Sequence, residues 1–296
     1  MSRLIFVALA SFVVAGAAAA QQVPGRDLLD FPLGLLAEAP ALSAEMPGSL
    51  WNPAAATLTG NRKLELGVTG LTTPQEQGVS LEMGGVSYRI RPSLTGSLSF
   101  AQASVADILR TDDNPQSLGG EIPYGTTLLS AGLAATRGSS SFGVTARYRW
   151  GALDTDRSGV LSTDVGAVVD HVARTPLRVA VSTFLLSPSP KEDPTYLAAA
   201  DVPLVRRDST LEVRAGYSRS QTNDRGHEDY AFATSTFHEL DLSAGLAQST
   251  MFGHSNRRMR LGFGVHYAGY TAAIGRDDGA AGFPASYQFL LTRVFP

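Results

Sequence analysis

The sequence predicts an all-β protein: a transmembrane, antiparallel, up-and-down β-barrel of about 12 strands (12–14), with an N-terminal segment associated with its lumen. Three observations predict it. From Lys63 to Phe295, segments of about ten residues alternate apolar and polar side chains. Successive strand side chains point to opposite faces, so each segment has one greasy face and one suited to water. The connections are alternately short and long, as in an outer-membrane barrel with short periplasmic turns and longer external loops. A secretion signal stands in front of them.

Residues 1–20 read as that signal, cleaved before Gln21. Arg3 supplies a positive charge, Leu4 to Ala15 is almost wholly apolar, and Ala18-Ala19-Ala20 offers small residues for cleavage. The run is short for a membrane helix and no other apolar stretch reaches helix length, which argues against a helical membrane protein. Cysteine is absent, so a lipoprotein anchor, disulfides and thiolate chemistry are excluded. The net charge of −3 comes without a basic block, leaving nucleic-acid binding without electrostatic support.

Twelve strands are expected, at about 63–71, 78–90, 94–103, 126–136, 140–150, 159–171, 177–186, 195–204, 209–218, 237–248, 257–270 and 285–295. The alternation is plainest where Phe142, Val144, Ala146, Tyr148 and Trp150 oppose Gly143, Thr145, Arg147 and Arg149. It recurs in Leu211 to Ser218, Leu240 to Ala247 and Met259 to Tyr267. Connections after even-numbered strands are mostly short, with a longer one at Ser249–Asn256. Ser104–Gly125, Arg219–Thr236 and Thr271–Pro284 are long and lie on the other side. A soluble sandwich also has one wet face per sheet, but it has no reason to sort loops by parity. Tyr148, Trp150, Tyr217, Tyr267 and Tyr287 suit interfacial girdles. At Gly84-Gly85 the apolar phase shifts from Val79, Leu81 and Met83 to Val86, Tyr88 and Ile90, and a bulge there would restore the face. The last strand carries Tyr287, Phe289, Leu291 and Phe295 on one face; it resembles the signal read by the barrel-assembly machinery, with Pro296 a departure.

Residues 21–62 do not alternate. Their leucines, Phe31 and Trp51 are unlike a disordered tail, so an ordered plug or periplasmic segment packing in or under the lumen is expected, followed by the barrel at 63–296. Trp51-Asn52-Pro53-Ala54-Ala55 makes a corner. Pro53 fixes its φ and biases Asn52 to an extended shape, Asn52 turns the chain through its side chain, and Trp51 anchors it. The same five residues, just before the first strand and behind a signal peptide, resemble the Trp-Asn-Pro-Ala-Gly/Ala signature of FadL-like barrels. That superfamily includes long-chain fatty acid transporters and PorV-type secretion proteins. The Gly-rich stretch usual upstream is replaced by Glu38–Ser49, and family members commonly have fourteen strands. The resemblance implies passive transport of small or hydrophobic molecules.

Inward-facing, lumen-lining candidates are Arg147, Arg149, Asp164, Asp170, Arg178, Glu212, Arg214, Asp241, Arg260 and His266. Neighbouring strands suggest the pairs Arg147–Asp164, Asp170–Arg178 and Asp241–Arg260, either as a salt-bridged interior or as a polar lining that selects a solute. Histidine is a natural general base, and His238, His266 and Ser243 share a region, but His238 has the parity of Leu240 and no nucleophile motif surrounds any serine. Asp224, His227, Glu228 and Asp229 cluster in an expected loop without metal-ligand spacing. Asp112-Asp113-Asn114 and Asp277-Asp278 offer loose carboxylates for a divalent cation. No catalytic residue, metal or cofactor is expected. The expected location is the bacterial outer membrane. The expected partners are outer-membrane lipid and lipopolysaccharide, the barrel-assembly machinery and a small or hydrophobic solute, with no nucleic acid. Two alternatives stay open: a scaffold barrel that binds partner proteins through its loops, and a rim-active enzyme.

Overall fold

A computed structural model describes residues 23–30, 37–44, 50–58, 63–74, 78–106, 108–111, 117–188, 192–207, 210–223, 225–251, 254–279 and 285–295, with backbone alone at 110, 111, 117–119, 251 and 254. The signal segment, Phe31, Asp112-Asp113-Asn114 and Asp224 lie outside these residues. The strands are β1 (Leu64–Thr72), β2 (Val79–Arg91), β3 (Leu94–Val105), β4 (Leu109–Thr111), β5 (Ser117–Glu121), β6 (Tyr124–Arg137), β7 (Ser140–Leu153) and β8 (Asp156–Val169). They continue as β9 (Arg178–Phe184), β10 (Thr195–Arg207), β11 (Leu211–Thr222), β12 (Gly226–Phe237), β13 (Leu240–Met251), β14 (His254–Tyr267), β15 (Tyr270–Asp277) and β16 (Ser286–Phe295). β4 and β5 form a separate hairpin. The other 14 close an antiparallel barrel in chain order, sealed where β1 pairs with β16 from Leu64↔Phe295 to Thr72↔Tyr287.

Fourteen strands correct the expected twelve. The expected loop 219–236 contains the end of β11 and nearly all of β12. β12 escapes notice because its outward face is Asp229, Ala231, Ala233 and Ser235, while Tyr230 and Phe232 turn inward. Farther on, the expected strand 257–270 runs across the turn that joins β14 to β15. There Ala268 and Gly269 take φ of 48° and 80°, a left-handed pair that closes a tight hairpin. The expected loop 271–284 therefore holds most of β15. The added hairpin also moves the 251–254 connection to the end that carries the long loops. The even count still leaves the start of β1 and the end of β16 together, at the end of short turns.

The exterior is built to face lipid. Leu98, Leu133, Phe142, Val144, Leu161, Leu246 and Ile274 stand outward and more than 40% exposed, an apolar surface no water-soluble monomer of this size displays. Tyr148, Trp150, Tyr196, Tyr217 and Tyr287 ring it toward the loop end, and Tyr88, Phe142, Phe237, Tyr267 and Tyr270 toward the turn end. Phe142 and Trp150 are eight residues apart, about 20 Å of barrel height at the usual strand tilt. That matches the apolar band of an outer-membrane barrel, about 25 Å tall.

No bulge occurs at Gly84-Gly85, where the ladder to β1 runs unbroken through Gly67↔Gly85 and Val68↔Gly84; the only irregularity of β2 against β3 lies at Arg89/Arg91. Val79, Leu81 and Met83 point into the barrel, while Ser80 and Glu82 point out. The apolar face has changed sides because the strand has left the lipid: at the loop end the outside is wet and the inside is dry.

One seam is weak. β8 and β9 pair only from Gly166↔Ser182 to Val169↔Val179. Beyond that a single bridge joins Thr163 to Leu186. Leu185 sits at φ 58°, and its amide donates to the Asp164 carboxylate at 2.7 Å instead of to the ladder.

Candidate functional site: a plugged lumen

The described residues 23–58 run down the inside of the barrel. Residues 23–26 lie at the level of Thr126, Gly151 and Thr195, near the loop end; residues 51–56 lie beside Gly143 and Gly166, near the turn end where β1 begins. At that corner Asn52 is extended and caps the short 3-10 turn Pro53–Thr57, accepting from the Ala54 amide at 3.0 Å. Its amide group donates to the Ala41 carbonyl at 2.7 Å, and Ser182 donates to the Trp51 carbonyl at 2.9 Å. The Trp51 ring packs on Phe184 at 4.6 Å between centroids. Asn52, Pro53, Ala54 and Ala55 are buried. Gly143 and Gly166 permit the close approach, because a Cβ on either would overlap Pro53 or Asn52.

Two arginines of β7 hold the segment by its carbonyls. Arg149 donates to Val23 O at 2.9 Å, to Pro24 O at 2.6 Å and to Thr126 Oγ1 at 2.9 Å, and pairs with Glu192. Arg147 donates to Leu50 O at 2.5 Å and to Ser130 at 2.8 Å, and pairs with Asp164. Both arginines are fully buried, and an arginine is the side chain that serves several acceptors from one planar fork. Arg26, inside the segment, reciprocates by binding Asp30 and Thr195 at 2.6 Å each. Tyr230 adds a bond to Ala37 O at 2.5 Å.

Elsewhere the inward charges pair differently from the sequence expectation. Arg178 and Arg214 both grip Asp201, at 2.6 and 2.8 Å, and Arg214 also binds Glu212 at 2.9 Å. Asp170 has left the lumen: it follows β8 in the turn-end connection, where its amide donates to Ser139 O at 2.8 Å. Arg260 pairs with Glu228 and Asp277 rather than with Asp241, and Arg258 joins the same pair. Asp241 instead meets His266, whose other ring nitrogen lies 2.7 Å from Thr271 Oγ1. His238 is exposed in the β12–β13 turn against Phe237, so the two histidines face opposite sides of the wall.

The expected acidic loop is also divided. His227 and Asp229 face out from β12, while Glu228 faces in. Asp277 faces in, apart from Asp278, which pairs with Arg276 at 3.0 Å. Among the described residues no three His, Asp or Glu side chains gather to hold a metal.

Toward the loop end the inner wall of β1–β6 is apolar. Leu71, Leu81, Met83, Ala101, Ala103 and Leu128 line one side, in a single apolar cluster with Leu28, Leu29, Leu42, Trp51 and Phe184. Against the opposite wall a cavity of about 70 Å³ is lined by Trp51, Leu197, Arg225, Glu228, Arg258 and Arg260, among others. Two carboxyls here carry no pattern that sequence reading detects. Glu192 lies in a Pro-rich connection, and Glu38 lies in the segment that does not alternate. Burial pushes the Glu192 carboxyl above its usual range against the pull of Arg149 and Arg26. Burial raises Glu38 to about 7, with Asp241 and Asp201 adding to the rise while Ser43 and Arg178 oppose it.

No protein-family model matches the sequence, and no curated protein does. Solved structures do match in fold. The Ralstonia pickettii toluene transporter TbuX superimposes with a TM-score of 0.56 at 10% identity, over 89% of this chain and 100% of that one. The P. putida toluene transporter TodX gives 0.55 at 8% identity, over 82% and 92%. A TodX monoaromatic hydrocarbon channel lacking S2 and S3 gives 0.55 at 8%, over 86% and 97%. At such identities the likeness is one of fold alone.

Proposed function

We propose that this chain is a passive outer-membrane channel for small, predominantly apolar molecules, held shut by its own N-terminal segment. The observation that carries the reading is the apolar inner wall of β1–β6 toward the loop end. A porin channel is polar and water-filled, whereas here Leu71, Leu81, Met83, Ala101 and Leu128 turn inward onto an apolar plug. Such a wall serves a solute that prefers hydrocarbon to water. The plug is bound by hydrogen bonds to its carbonyls rather than by covalent links, so it can shift. The structures of similar fold named as toluene transporters and a monoaromatic hydrocarbon channel agree with this solute class.

The test uses the absence of native cysteine. A Cβ on Gly25 would stand 2.8 Å from the Thr126 Cβ, about an ångström inside the usual disulfide separation, and Gly25 has φ of 74°, so a G25C/T126C pair pins the plug to β6 once the segment backs off by about that distance. Uptake of a monoaromatic hydrocarbon is followed in cells whose lipopolysaccharide leaflet is the barrier to it. Uptake should rise when the reduced pair is expressed, fall on oxidation and return on reduction. Equal uptake in both states, or equal passage of a hydrophilic sugar, would refute the proposal.

A further inference from the structure

The charges outside the lumen are sorted by end. At the loop end, exposed or half-exposed acids predominate, among them Glu82, Glu121, Asp154, Asp156 and Asp278. At the turn end the rim carries Lys63, Arg91, Arg137, Arg174, Arg206 and Arg207, all exposed. Of these, only Arg206 has an ion pair among the described residues, with Glu212 at 3.3 Å. Outside the lumen, Asp170 and Glu239 are the other carboxylates at that end among the described residues, while Glu65 and Asp241 face inward.

The depth of these side chains is set by the ladder. Arg137 stands two residues beyond Ala135, which pairs with Phe142. Arg207 pairs with Leu211, itself opposite Phe237. Arg91 follows Tyr88 and Ile90. Arg293 lies on the Tyr270 ring at 3.9 Å and near the Phe295 ring at 5.3 Å. The basic collar thus begins within two residues of the turn-end aromatic belt. Aromatic belts mark the headgroup level of a bilayer, so the collar lies where lipid phosphates lie.

We propose that this collar is a binding surface for the phosphate groups of anionic phospholipids in the leaflet that the short turns face, the periplasmic one. Charge and depth both fit. Arginine presents paired donors that match phosphate oxygens, and basic side chains at a membrane surface each favour anionic lipid by roughly a fivefold factor. The opposite rim also carries arginines, Arg157, Arg219, Arg257 and Arg276, but acids outnumber them and Arg219 and Arg276 are paired there with Asp229 and Asp278, so the molecule is polarised along its axis and anionic phospholipid favours one orientation. This does not depend on what the lumen conducts.

The protein, purified in detergent, is titrated with phosphatidylglycerol and with phosphatidylcholine, and bound lipid is counted by native mass spectrometry. Wild type should retain phosphatidylglycerol in preference. The variant R91Q/R137Q/R174Q/R206Q/R207Q should lose the preference, and R137Q or R174Q alone should each weaken it by about fivefold. Heat-modifiable migration verifies that each variant is folded. The opposite-rim variant E82Q/E121Q/D156N should leave the preference intact. Equal retention of the two lipids by wild type overturns the proposal, as does a preference that survives in the folded single variants. Displacement of bound lipid by inorganic phosphate would also overturn it, by making the collar a site for the free ion. Selective crosslinking of the collar to an acidic periplasmic protein, with no lipid preference, would assign the surface to a protein partner instead.

Discussion

Replacing Arg149 by methionine tests whether the plug is held by its carbonyls. The substitution removes the bonds to Val23 O and Pro24 O, at 2.9 and 2.6 Å, together with the ion pair to Glu192. Hydrogen bonds to a charged donor contribute about 1.5–3 kcal/mol each, and stripping one partner from a buried pair costs about 3–5 kcal/mol. Two features limit the loss. Glu192 keeps Arg26 at 3.7 Å, and burial already favours its protonated form, so the carboxyl can take a proton once Arg149 is gone. The plug's upper end should therefore open more readily by about 3 kcal/mol, near a hundredfold in the open population. Val23 is 1% exposed, and Val23→Cys in this cysteine-free chain reports that opening as the rate of maleimide labelling from the loop side. Arg149→Met should accelerate labelling about a hundredfold. Adding Glu192→Gln should slow labelling again by up to about tenfold, because the carboxyl left with only the longer Arg26 contact is then gone. An unchanged rate in a folded Arg149→Met barrel would show that the apolar contacts alone hold the segment.

Two further predictions address the lower half. Glu38 is raised from 4.5 to about 7, so the docked plug binds a proton that the released chain gives up between those values. Docking is then strongest below pH 4.5 and weakens by up to about 3 kcal/mol as pH rises to about 7. Labelling of Ala41→Cys, normalised to the unfolded chain, should be faster at pH 8 than at pH 5, and Glu38→Gln should abolish the difference; a slower rate at pH 8 would reverse the sign and the argument. Gly166→Ala places a Cβ against the Asn52 cap and should lower the stability of the folded form by about 1–3 kcal/mol. In Gly264→Ala the nearest neighbour, the Ala273 Cβ, is 3.3 Å away, and the effect should be much smaller. Equal shifts in the temperature of heat-modified migration would remove the close-approach explanation of Gly166.

The wall was legible in the sequence where a whole strand sets large apolar side chains toward lipid against polar ones within. β7 announces itself because Phe142, Val144, Tyr148 and Trp150 face hydrocarbon while Arg147 and Arg149 face in. β12 did not, since alanines and a serine suffice on its outer face and its large rings serve the plug. The same cause explains Gly84-Gly85, where a change of surroundings rather than a bulge reverses the phase. Arg147 and Asp164 were matched because mid-strand residues one ladder apart must meet, with Thr145↔Asp164 and Arg147↔Ser162 in register. Pairings that depend on residues of added or irregular elements were not: Arg260 takes Glu228 from the unrecognised β12 and Asp277 from the unrecognised β15. Glu192 and Glu38 sit in segments with no periodicity, so their neighbours are fixed only by tertiary packing.

The lumen joins two kinds of contact with different consequences for movement. On the β7 side the plug is bound by directional bonds from Arg147 and Arg149 to single carbonyls, which fail together once the chain shifts by more than a bond length. On the β1–β6 side it rests on Leu71, Leu81, Met83, Ala101 and Leu128, and burial of such surface is non-directional and nearly indifferent to small slides. A plug held this way detaches first from the arginines and stays against the apolar wall. A gap opened along that path has arginine on one side and hydrocarbon on the other. Water entering would have to leave the apolar side unwetted, whereas an apolar solute can follow it while the released arginines keep Glu192 and Asp164 as partners. Under the proposed channel reading, that path would let an apolar molecule pass without exposing the buried charges unpaired.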